Sequence, residues 1–134
     1  MSYGVGAALQ AAVFQRLSND AALTALVGTA VYDETPSGTP PSTYVSLGPE
    51  EVRDRSDASG AGANHYFTVS VITDDAGFQA AKSVAAAVSD ALAGAPPAAS
   101  RGTVIFIRFD RASAKRTQGQ RRIDLRFHAR VEDN

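Results

Sequence analysis

The chain contains no cysteine and no tryptophan, and only one methionine. Without thiols it has no disulfide, no thiol nucleophile and no thiolate metal site. Histidine is almost as scarce. His65 and His128 have no companion ligands at the close spacing that a zinc centre needs, so no metal and no cofactor is expected. Long apolar runs are also missing. The longest uncharged stretches contain Gln, Ser or Pro and fall short of the ~20 apolar residues of a membrane-spanning helix. The first residues carry no basic region, so they do not read as a secretory signal. The expectation is a protein that acts or is assembled inside the cell, with no membrane partner.

Large apolar side chains are sparse too. Apolar residues fill 44% of the 134 positions, but 25 of them are alanine. Alanine adds little buried area, so the core is thin for one domain of this length, and contacts between subunits are expected to supplement it. The length suits a single domain over residues 1–134. The net charge of −1 conceals a split. Residues 1–100 hold 4 Lys+Arg and 10 Asp+Glu, a net of −6; residues 101–134 hold 9 and 4, a net of +5. Segregation of this kind steers how a protein meets partners and copies of itself.

Helical spacing of Val5, Leu9, Ala12, Val13 and Leu17 predicts a helix over 5–17. Asp20 is placed to cap a second short helix over 21–27, which Gly28 ends. A short extended piece at 31–33 and a proline-rich loop over 35–42 follow, then a strand over 43–47. Residues 48–63 read as either a long mobile loop or the tip of an extended hairpin. Alternation predicts a strand over 65–73, with Phe67, Val69 and Val71 on one face. Asp74 and Asp75 are read as caps of a helix over 77–93, whose stripe is Phe78, Ala81, Val84, Ala85, Val88 and Leu92. A strand over 103–109 is read with Ile105, Ile107 and Phe109 on one face and Val104 and Phe106 on the other. A basic turn at 115–120 leads into 122–132, where Ile123, Leu125, Phe127, Ala129 and Val131 alternate with polar residues. That alternation means one buried and one polar sheet face. The order predicts an α+β fold: a mainly antiparallel sheet of four to five strands with helices packed on one face.

No catalytic constellation is legible. Gly4-Val-Gly6 lacks a preceding strand and a third glycine, and neither a phosphate-binding Gly-Lys loop nor a Gly-x-Ser-x-Gly elbow occurs. His128 with Asp124 as an acid–base pair ranks last, since no third partner is visible. The informative residues are charged. Arg108, Arg111, Lys115, Arg116, Arg121, Arg122, Arg126 and Arg130 share one hairpin, and Arg122, Arg126 and Arg130 recur every four residues on one strand face, ~13 Å apart. Glu50, Glu51, Asp54 and Asp57 cluster in the polar segment. Contact between this basic hairpin and the acidic segment of another copy ranks first, because head-to-tail contacts close into rings. A solvated sheet face ranks second. An α+β domain binding nucleic acid through this hairpin is the alternative; few free aromatics and a pI near 6.1 weigh against it.

The run from Leu9 to Gly28, the block Ala30-Val-Tyr-Asp-Glu-Thr-Pro36 and the stretch Tyr44-Val-Ser-Leu-Gly48 resemble a tail-completion family of long-tailed bacteriophages, prophages and gene transfer agents. The strand over 65–73, the alanine-rich helix after it and the closing strands continue the resemblance. It implies a structural, non-enzymatic tail terminator that forms a ring with itself, typically of six subunits. Such a ring would cap the head-proximal end of the tail tube and meet the tail tube protein and the head–tail connector or stopper. DNA would cross its lumen without sequence-specific binding. The implied location is the head–tail junction of a phage-like particle assembled in the bacterial cytoplasm.

Overall fold

The computed structural model describes residues 3–34, 36–57 and 60–134. Met1 and Ser2 of the amino-terminal segment, Thr35 of the proline-rich loop, and Ala58 and Ser59 of the polar segment lie outside the described residues. Three helices and five strands follow in the order α1 (Gly6–Ser18), α2 (Ala21–Val27), β1 (Val31–Tyr32), β2 (Thr43–Asp54), β3 (Gly62–Thr73), α3 (Gln79–Ala93), β4 (Thr103–Thr117) and β5 (Gln120–Glu132). The strands form one sheet in the order β1-β2-β3-β5-β4. Every pairing is antiparallel except the short β1–β2 contact, which is parallel. The fold is α+β, with the helices on one face, as the sequence implies.

The inward residues of β5 explain the layering. Ile123, Leu125, Phe127, Ala129 and Val131 are all buried. Above them pack Val5 at the N-cap of α1, Leu9, Val13 and Leu17 of α1, and Val84, Ala85, Val88 and Leu92 of α3. The alanine positions of α3 keep its side chains short where it meets the sheet, so the helix lies close against it. Asp20 caps α2 by accepting from the Leu23 N–H at 2.9 Å. The Arg16 guanidinium donates to the Ala91 carbonyl at 3.2 Å and ties α1 to α3.

One open alternative is settled and three local expectations are corrected. First, residues 48–54 are strand, so of the two readings of the polar segment the extended hairpin holds. Its register shifts between Leu47 and Glu50, where Gly48-Pro49 forms a bulge. The extra residue turns Glu50 and Val52 toward the helix side and Glu51 and Arg53 away from it. Second, residues 115–117 continue β4 rather than belonging to the basic turn. The turn is only Gln118-Gly119, with φ of 47° and 81°, a left-handed pair that matches strand twist. Third, β4 shifts register between Val104 and Phe106 and again between Phe109 and Arg111. Val104 and Ile107 therefore face the helices together, while Ile105 is 42% exposed. Fourth, α3 starts at Gln79 with Phe78 at its N-cap and no side-chain cap. Gly77, at φ +76°, breaks helical geometry between the two aspartates and the helix.

Gly102 fixes the start of β4 beneath α1. Its φ is +73°, and a Cβ there would meet the Glu132 carbonyl oxygen at 2.5 Å and Val5 Cγ2 at 2.8 Å. Gly77 has a similar φ but open space around it. In urea unfolding, Gly77→Ala is predicted to cost about 1 kcal/mol and Gly102→Ala about 2–4 kcal/mol. Equal costs would show that the Gly102 contact is relaxed without strain.

Candidate functional site

The sheet face opposite the helices is largely uncovered, and the polar half of β5 projects from it. Cross-strand register decides which side chains meet there. Tyr66 of β3 lies opposite His128 of β5, and Arg126 lies opposite Thr68. The Tyr66 and His128 rings stack at 4.6 Å and 12°. Phe106 of β4 meets His128 edge-on at 5.1 Å, and the Arg108 guanidinium covers Phe106 at 3.7 Å. On the other side, the Arg126 guanidinium lies over Tyr66 at 4.8 Å. A row of three rings flanked by two guanidiniums thus crosses three strands. The small cluster of Ala30, Tyr44 and Ile72 covers one corner of this face.

Beside that row lies a shallow groove of about 580 Å³, lined by Glu51, Thr68, Arg111, Ser113, Asp124 and Arg126 among others. Several of its charges are paired within the chain. Arg126 reaches Glu51 at 3.5 Å and Asp110 at 3.3 Å. Arg122 donates to Asp124 at 2.9 Å and to the Ser70 hydroxyl at 3.2 Å, while that hydroxyl donates to Asp124 at 2.6 Å. Lys115 stands 4.0 Å from the same carboxylate. Half-exposed pairs of this kind contribute about 0–1 kcal/mol each, so they set side-chain positions more than stability.

The predicted residues are therefore brought together in part, and within one subunit. Glu51 meets Arg126, and Asp57 and Arg130 line one small cleft near the carboxyl-terminal end of β5. Glu50 is turned to the helix side by the bulge, where it accepts from the Tyr3 hydroxyl at 2.6 Å and lies 3.4 Å from His65 Nδ1. That acceptor carboxylate raises the pKa of the Tyr3 phenol. Asp54 accepts from Ser56 at 2.7 Å, which lowers its pKa. Arg116 and Arg121 face each other on the helix side near the turn, apart from the Arg122–Arg126 row. Asp124 and His128 do not meet: Asp124 is held by Ser70 and Arg122, and His128 Nε2 lies 2.9 Å from Asn64 Oδ1. Among the described residues no group of His, Cys, Asp and Glu could hold a metal ion. Among the described residues no helix is long and apolar enough to cross a membrane.

Sequence reasoning missed Tyr66 and Phe106 as parts of this face and named Arg108 only as one of the basic residues of the hairpin. Alternation places Tyr66 on the polar side, but only the β3–β5 register shows that it stacks on His128. Phe106 was obscured by the bulge at Ile105. The carboxylates already engaging Arg122 and Arg126 weigh against a phosphate-binding role for this row, since a phosphate would have to displace them.

A family model described as tail completion protein gp17 matches residues 11–132. Among solved structures, a chain from the virion of a native gene transfer agent particle is 61% identical to this chain. The two superpose with a TM-score of 0.92, over 98% of this chain and 99% of that one. No curated protein matches.

Burial lowers the His128 pKa, and the nearby Arg108 and Arg130 guanidiniums lower it further against an opposing pull from Asp110. The folded protein thus binds the imidazole proton more weakly than the unfolded chain, whose pKa is about 6.5. Stability from this group is present above the unfolded pKa and is lost as pH falls through it toward the folded value. Thermal unfolding is predicted to shift downward between pH 7 and pH 5.5, and His128→Asn to flatten that dependence. An unchanged slope in the variant would show that His128 is not the titrating group.

Proposed function

The chain belongs to the tail completion protein gp17 family, and we propose that it is a tail terminator, a structural component of a phage-like particle. The observation that carries this reading is the near-complete match, at 61% identity, to a chain of a gene transfer agent virion. In the proposed role the chain acts as one domain and forms a ring on the head-proximal end of the tail tube. One ring face complements the last tube ring, and the other no longer offers a tube-like surface. Polymerisation stops there, and the free face is available to the head connector. No bond is made or broken, so the role requires no catalytic group or cofactor.

The two faces of the sheet suit this assignment. With helices on one side only, a ring can turn them outward and the polar face toward its lumen. Arg122 and Arg126 are already paired with Asp124, Asp110 and Glu51, so they offer few free cations to a passing phosphate backbone. That fits passage of DNA without retention.

The test is polymerisation of tail tube protein in the presence of this chain. Shorter tubes bearing an extra ring at one end are expected. Tube lengths unchanged at saturating amounts of the chain would contradict the reading.

A further inference from the structure

We propose that copies of this chain join edge to edge, the β4 strand of one adding to residues 47–54 of β2 in the next. This rests on the ring reading above and names the surfaces that would close the ring.

Both edges of the sheet are open over long stretches. At one edge, β4 pairs only with β5, and every residue from 108 to 119 is exposed. At the other, β1 covers β2 only at Val45 and Ser46. Among the described residues, β3 is the only strand that pairs with β2 beyond Ser46. Open edges of this length are templates for another strand.

Charge selects which edges meet. The β4 edge carries Arg108, Arg111, Lys115 and Arg116 against Asp110 alone, whereas the 47–54 edge carries Glu50, Glu51 and Asp54 against Arg53. Two β4 edges repel, and so do two β2 edges; only unlike edges attract. The contact is then heterologous, the type that closes into rings. Strand direction agrees. The antiparallel series from β2 to β4 makes these two strands run oppositely, and rotation about an axis along the strands preserves direction. β4 would therefore meet the next β2 antiparallel.

Apolar surface points to the same join. The large exposed hydrophobics among the described residues are Tyr3 at 60%, Leu26 at 49%, Ile105 at 42% and Phe109 at 53%. Ile105 and Phe109 sit on β4. Tyr3 borders a groove of about 460 Å³ along α1, on the β1–β2 side, with Ala7, Ala11, Phe14 and Asp33. Phe109 lies opposite the buried Phe127, hence on the helix side of the sheet. Added to β2, it would point toward this groove, where Ala7 and Ala11 leave room for a ring.

The absence of native cysteine provides the test. The double variant Phe109→Cys/Ala11→Cys is treated with a short bis-maleimide under the conditions in which the wild type forms rings. Phe109 lies on the β4 edge and Ala11 on α1 at the β1–β2 side, so within one copy three strand spacings, roughly 14 Å at ~4.8 Å per strand, separate them, and a crosslinker shorter than this joins different copies. A ladder ending at the ring size is expected. Phe109→Glu and, separately, Ala11→Arg should remain folded by circular dichroism yet monomeric by native mass spectrometry, while Phe109→Leu assembles. Rings that form without crosslinks, or that persist in both Phe109→Glu and Ala11→Arg, overturn the edge join and leave the ring reading standing. A wild type that stays monomeric on tail tubes overturns both.

Discussion

The rest of the molecule depends on the unbroken pairing of β3 with β5. The ladder runs without a register shift from Gly62 opposite Glu132 to Thr73 opposite Arg121. A one-residue slip would exchange the two faces of either strand and expose its apolar set, so burial of one face pins the register. Phe67 and Phe127, stacked at 5.6 Å, sit at the middle of this ladder. Burial of such side chains is worth about 1.5–3 kcal/mol each, several times an exposed ion pair. The helix-side core thus holds the fold, and the charged face is free to be arranged for contact.

The flanking strands show the complementary behaviour. β2 and β4 each depart from strict pairing, at Gly48-Pro49 in one and at two points in the other. These bulges re-aim charged side chains without disturbing the central ladder. The Gly48-Pro49 bulge separates Glu50 from Glu51, sending one to Tyr3 and His65 and the other to Arg126. Two adjacent carboxylates that look equivalent in sequence therefore do different work.

This division explains what the sequence could and could not reveal. The β5 alternation, the α1 and α3 stripes and the Asp20 cap were legible because each is a local, periodic signal. The extent of β2 and β4 was not. Residues 50–54 and 110–117 are mostly polar and exposed, so the apolar alternation that marks a strand is missing. Those are the stretches that form the open edges. The acidic and basic segments were recognised as complementary, but Glu51 with Arg126 is a pair within one sheet, and only strand order reveals it. Recognition of the aromatic row failed for the same reason: Tyr66, Phe106 and His128 lie on three strands and share no sequence spacing.

A thin alanine-rich core, two unlike open edges and membership of a tail completion family fit one account, in which the chain completes its structure with copies of itself at the end of a tail. The most direct measurement is the tail-length distribution of particles made without this chain. The account predicts overlong tails that fail to join heads, restored to normal length by the wild-type chain. Tails of normal length joined to heads in its absence would contradict it.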